Sequence, residues 1–448
     1  MPATRPRARA VTAVAAGAAL SLFAAACTGS NDSGAANDDP DAEVTLTFWH
    51  GWSAPSEVEA IEANIEAFEK KFPNITVEAV KGVNDDKLNQ GLRAGGDNAP
   101  DVVSSFTTDN VGRFCSSNVL ADLAPFLEKS GIDPDKTFPA PMLDYTQYEG
   151  KRCALPLLGD AYGLYYNKDA FAEAGIDAPP KTLSEFEKVA KKLTKPDGDG
   201  YEQLGFMPNY QGYETTVEHY GGQFGVTYFD AEGNANAAED PRMTELFEWQ
   251  KSMVDSLGGF EKLRRYRNTF GDEWGAKHPF HTGQVAMQMD GEWRGKMAAD
   301  AGVDFEMGAA PFPVPDDQVD SYGKGYLSGT ITGIAATSDK KNAAWEFVKY
   351  LTTDTDAVVS FANAIHNVPS TLAALKSPKL NDDPVYRTFV DIAQHPESSH
   401  APPSKNGGAF LLTLQDYGLK YEKGAEDDLQ ALLEQADEQI DKDNAQAG

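Results

Sequence analysis

With 69 acidic against 39 basic side chains in 448 residues, the chain has a formal net charge of −30. Such a surface repels nucleic acid and anionic headgroups and disfavours anionic ligands on approach. The length exceeds what one hydrophobic core normally serves, so two are expected.

Arg5, Arg7 and Arg9 precede an alanine-rich apolar run, residues 10–26, that is too short and too weakly apolar to span a bilayer and reads as an export signal, residues 1–26. Losing those arginines takes the charge to −33. The run ends at Ala26 and Cys27, and a Ser/Asn/Asp/Gly tract follows to Asp41 without the apolar residues that structure needs. This junction resembles the lipobox of bacterial lipoproteins, although Ala24 stands where a leucine is usual. The resemblance implies lipidation at Cys27, a tether over residues 27–43 and anchorage to the outer face of the cytoplasmic membrane. The alternative is an ordinary signal-peptidase cut after Ala26. An exported thiol has no reductant to protect it, so Cys115 and Cys153 are expected to bond to each other, two buried free thiols being the alternative.

The first strand signal is the alternating stretch of residues 44–48, which leads into "WHGWSAP". Val58, Ile61, Ile65, Phe68 and Phe72 then recur at helical spacing, with Ser56 and Glu59 in capping-box form. "ITVEAV" is the next strand, which makes a parallel βαβ unit. The alternation continues through the strand "PDVVSSF", the helix "NVLADLAPFLEKSG", the strands "KRCALPLL" and "YGLYYN", and the helix "LSEFEKVAKKLT". Downstream come the helix "TELFEWQKSMVDS", the strand "GQVAMQMDGEW" ending in a turn, the strand "GTITGIAATS", and helices at "KKNAAWEFVKYLTT" and "AEDDLQALLEQADEQI". An α/β architecture follows, with ligands expected beyond the carboxyl ends of the strands.

Taken in order, "LTFWHGWS", "FPNITVEAV", "APDVV", "YEGKRCALPLLGDAYGLYYNKDAFAEAGI", "FHTGQVAMQMDGEW", "GTITGIAATSDKKNAAWEFVKYLT" and "NVPS" resemble the family 1 extracellular solute-binding proteins of ABC importers, the group that includes maltose-binding protein. The resemblance implies a two-lobe periplasmic-binding-protein-like fold of type II with three hinge crossings and a central ligand cleft. The crossings would fall near residues 156–162, 326–331 and 366–370. Lobe one would comprise residues 44–157 plus 332–367, and lobe two residues 158–331 plus 368–448.

A sugar site needs flat aromatics against ring faces and planar hydrogen-bonding groups at the hydroxyl rim. His50 and Trp52 are expected on lobe one's wall, joined by Phe106, Asp109 and Asn110 after the "PDVV" strand. Trp293 matches the family position of a sugar-stacking aromatic, with Asp290 beside it. Asp160 matches an acidic rim group, next to Tyr162. Tyr210, Tyr213, Asn406 and Phe410 complete lobe two's contribution, and Ser328 and Gly329 offer hydroxyl and backbone groups at a crossing.

The expected partners are a neutral mono-, di- or oligosaccharide, or a polyol, and the permease subunits of an ABC importer. A monomer is expected, touching the membrane through its lipid anchor alone and binding no nucleic acid. The rivals are an exported carbohydrate-active enzyme and a sugar-sensing or adhesive lipoprotein on the same fold. No G-x-S-x-G elbow or P-loop is present, and no enzyme activity is expected. Neither a metal nor a cofactor is expected: Pro279 separates His278 from His281, and "PDGDGYE" reaches Pro208 where a calcium loop needs a bidentate glutamate.

Overall fold

The computed structural model describes residues 42–96, 99–208 and 216–447, so the signal, Cys27, Tyr210 and Tyr213 lie outside the described residues. Twelve strands occur among those described: β1 Val44–Trp49, β2 Ile75–Val80, β3 Val102–Ser105, β4 Gln147–Tyr148, β5 Lys151–Arg152, β6 Leu155–Asn167, β7 Lys195–Asp197, β8 Gly200–Phe206, β9 Val285–Gly291, β10 Met307–Ala310, β11 Leu327–Ile334 and β12 Val368–Pro369. Ten form one sheet in the order β2-β1-β3-β11-β6-β9-β8-β7, with β10 and β12 also paired to β6.

The opening βαβ unit is as the periodicity expects. β1 buries Leu46 and Phe48 and runs parallel to β2 and β3, and helix Pro55–Lys71 buries Val58, Ile61, Ile65 and Phe68 between them. Its start differs from the Ser56–Glu59 expectation. Pro55 suits the first turn, where a missing N–H costs nothing, and Glu57 reaches back to accept from the backbone N–H groups of Ala54 (3.1 Å) and Ser53 (3.4 Å). The helix expected over residues 118–131 also shrinks, to Ala124–Lys129. Pro125 belongs in a first turn and not mid-helix, and the preceding residues are extended: Leu120 bridges Ala335, and Ala121 N–H donates to the Ile334 carbonyl at 2.8 Å. "MDGEW" is no simple turn, since Glu292 caps helix Trp293–Ala301 directly after β9. "PDGDGYE" forms the antiparallel β7–β8 hairpin.

β6 explains why one sheet serves two lobes. Its first half, Leu155 to Ala161, pairs antiparallel with β11, and its second half, Tyr162 to Tyr166, pairs antiparallel with β9. β11 in turn leaves β6 for β3, with a register shift between Thr330 and Ile331. β12 adds to the same stretch, Val368 opposite Gly159 and Pro369 opposite Leu158.

Two cores were expected, and three hydrophobic clusters are found among the described residues. One lies around Phe48, Phe68 and Phe347, and one around Phe186, Phe206 and Phe247. The third gathers Tyr145, Ala161, Tyr165, Leu327 and Val368 at the crossings. The same cluster contains the disulfide between Cys115 and Cys153, which ties helix Asn110–Ser116 to the chain entering β6. The two cysteines are 38 residues apart, so removing the bond by Cys115→Ala/Cys153→Ala is expected to cost about 3 to 4 kcal/mol in denaturant unfolding. Mass spectrometry should find the linked peptide in exported protein. Quantitative alkylation of both cysteines without reductant would contradict the bond.

Candidate ligand-binding site

One amide ties the third crossing to the first and to the end of β9. Asn367, just before β12, donates from Nδ2 to Asp160 Oδ1 (2.5 Å) on β6 and to Glu292 Oε1 (2.9 Å) at the end of β9. The Ala161 N–H donates to Glu292 Oε2 at 2.9 Å, and Tyr386 Oη donates to the Asn367 carbonyl at 2.8 Å. Burial raises both carboxyl groups, which lie within hydrogen-bonding reach of each other: Asp160 is pushed up to about 7 and Glu292 well above the usual carboxylate range. Ser328 sits opposite Asp160 on β11, and Gly329 opposite Gly159. A Cβ on Gly329 would lie 2.3 Å from the Leu158 carbonyl oxygen and 2.9 Å from Tyr145 Oη, so only glycine fits this approach.

Beside this clasp lies a run of rings. Tyr162 stacks on His219 (centroids 4.3 Å, 22° between planes), meets Trp293 edge-on at 5.6 Å and lies 5.4 Å from Tyr326. Trp293 is half-buried, its ring lies over Gly291, where any side chain would collide with the indole, and its buried indole N–H has no hydrogen-bond partner among the described residues. Such a donor is costly to leave unmade and suits a ligand oxygen.

A cavity of about 330 Å³ is lined by Asp109, Arg113, Thr216, Glu218 and Leu412, among others. Burial pushes Asp109 up to about 7, with Glu218 and Asp85 adding to the rise, and burial also raises Glu218. Asp109 Oδ1 is buried without a partner. Arg113 Nη2 donates to the Asn406 carbonyl at 2.9 Å, which closes this side of the cavity.

Several expected site residues take other roles. Trp52 is 2 % exposed and packs edge-on against Phe361 at 4.9 Å, in the core and not on a cleft wall, because helix Thr355–Ile365 covers it. His50 is buried between Phe48 and Trp52, and burial with nearby Lys81 lowers it to about 4. Phe106, 47 % exposed, covers Trp52 from outside. Asn110 is buried and donates to Asp85 Oδ2 at 3.0 Å. Asp290 is fully buried in an ion pair with Arg294 and is no rim group. Phe410 is core, against Tyr228 and Phe229. Asp160, Tyr162, Trp293, Ser328 and Gly329 do come together. Sequence reasoning missed Glu218, His219, Tyr326 and Asn367. Tyr326 and Asn367 had a usable signal, their places in the second and third crossings.

These features define a fold of the two-lobe binding-protein type. A family model described as bacterial extracellular solute-binding protein matches residues 54–358, and the chain belongs to that family. It is 25% identical over 401 residues to the maltotriose-binding protein of Pyrococcus abyssi, covering 88% of this chain and 81% of that one. It is also 25% identical over 346 residues to the sn-glycerol-3-phosphate-binding periplasmic protein UgpB of Brucella abortus, covering 76% and 78%. Two solved structures share the fold, each with a TM-score of 0.74. CpMnBP1 with mannotriose bound is 24% identical and covers 90% of this chain and 100% of its own; the sugar-binding protein MalE from Xanthomonas citri is 21% identical and covers 90% and 98%.

The raised carboxyl groups have a consequence for pH. An acid whose folded pKa exceeds its unfolded value near 4 stabilises fully below that value and loses the contribution as pH climbs past the folded one. The ligand-free melting temperature should therefore fall as pH rises from about 5 through about 7. Asp160→Asn mimics the protonated acid, accepting from Asn367 and donating to Glu292, and should flatten that slope. Identical slopes in parent and variant would contradict a raised Asp160 carboxyl as a source of the slope.

Proposed function

We propose that this protein captures a neutral carbohydrate between its lobes and presents it to the permease of an ABC importer. The observation that carries this reading is the unpartnered Trp293 indole beside Tyr162 and the acidic clasp of Asp160 and Glu292, a flat aromatic surface next to hydroxyl acceptors. The maltotriose-binding relative and the mannotriose-bound structural neighbour support the ligand class. A phosphate ester, as the glycerol-3-phosphate-binding relative takes, suits this site poorly, because the buried Asp160 and Glu292 stand in it and burial resists adding further negative charge.

In this reading lobe one comprises residues 44–157 plus 332–367 and lobe two residues 158–331 plus 368–448, with Cys27 as the lipid anchor and a monomer as the working unit. The exchange of β6 from β11 to β9 after Ala161 supports the first boundary. Binding without catalysis agrees with the clasp: the Asn367 amide bridges Asp160 and Glu292, where a glycosidase needs the scissile bond.

A thermal-shift screen over neutral sugars, polyols and sugar phosphates should raise the melting temperature for a neutral sugar and return it uncut. Trp293→Ala should weaken that sugar by about 2 kcal/mol or more while the ligand-free melting temperature holds. A steep fall in ligand-free melting with affinity unchanged would assign Trp293 to the core, and cleaved sugar would favour the enzyme reading. Labelled fatty acid should enter full-length protein but not Cys27→Ser; equal labelling of both would exclude the anchor.

A further inference from the structure

We infer that Trp274 is the outer platform of this site and that the ligand is a trisaccharide or longer, an inference that rests on the carbohydrate reading above. Trp274 lies between helix Phe260–Arg267 and β9 and is 49 % exposed. Its ring lies 6.3 Å from that of Trp293, at 40°, so it continues the run that begins at Tyr326 and Tyr162. Exposure rises along that run: Tyr326 and Tyr162 are buried, Trp293 is half-buried, and Trp274 stands half in solvent. Each step is on the scale of one pyranose ring, so a sugar chain seated at Trp293 reaches Trp274 with its next residue.

Trp274 is also held in place before any ligand arrives. Its backbone N–H donates to Asp272 Oδ1 at 2.8 Å, and the Arg294 guanidinium carbon lies 5.8 Å from the ring centre. Arg294 is itself fixed by Asp290 and by the Glu273 carbonyl, to which Nη1 donates at 3.0 Å. An aromatic anchored this way loses little freedom on stacking, which favours a contact made by the ligand.

The experiment is calorimetric titration with matched di- and trisaccharides: maltose and maltotriose, mannobiose and mannotriose, cellobiose and cellotriose. In the series that binds, the trisaccharide should bind the parent about tenfold tighter than the disaccharide. Trp274→Ala should bring that ratio to about twofold or less, leaving disaccharide affinity and ligand-free melting in place, and Trp274→Phe should restore most of it. Equal affinities for both lengths in the parent, or an equal loss for both in Trp274→Ala, would overturn the inference while the carbohydrate reading stands. Should no series bind, the inference of a trisaccharide or longer is overturned, and the carbohydrate reading is then judged by the thermal-shift screen alone.

Discussion

The constraint on which the rest depends is the meeting of β6, β11 and β12 at Gly159 and Asp160. Three chain segments from distant parts of the sequence pair side by side there, and Gly329 has no room for a side chain against Leu158. Such close pairing leaves little freedom for independent movement, so motion between lobes must pass through these few residues. The Asn367 amide then joins a residue of the first crossing to the residue that caps the Trp293 helix. A shift of Asn367 is therefore felt by the aromatic surface directly. The left-handed backbone at His366 (φ 60°), immediately before it, is uncommon for a residue with a side chain and marks the same place as strained.

Acidity has two meanings in this molecule. Over the surface it acts at a distance, repelling anions. Inside it is local: Asp160, Glu292, Asp109 and Glu218 are all raised by burial, which hydrogen bonding offsets in part at all but Asp109. Buried carboxyl groups without a cation hold protons near neutral pH, and a protonated acid can donate as well as accept. A ligand rich in hydroxyl groups matches both roles, which is how the same residues can shape selectivity and pH response together.

What was legible in the sequence was local periodicity and order. The alternation of residues 44–48 and the helical spacing of Val58 to Phe68 each depend on neighbours a few residues away, and both elements formed where expected. The clasp was half legible, since Asp160 was named for its place at a crossing while its partner Asn367 lies 207 residues further on. Trp52 misled because its cover, Phe361, is equally remote. Asp290 misled differently. Arg294 is only four residues away, but β9 ends between them and a helix begins, so no spacing rule for a single element joins the pair. Phe410 was expected in lobe two's contribution to the site, and only the packing of Tyr228 and Phe229 shows it as core.

The central claim is that the lobes close on a sugar about these crossings, bringing helix Asn110–Ser116 against the chain at Asn406 as Arg113 records. Spin labels at Ser116 and at Leu412, both exposed, report that approach directly as a distance distribution. The account expects a broad distribution without ligand and a single shorter, narrower one with the sugar found by thermal shift. The same distribution in both samples, with the sugar shown to be bound, would contradict closure about the crossings.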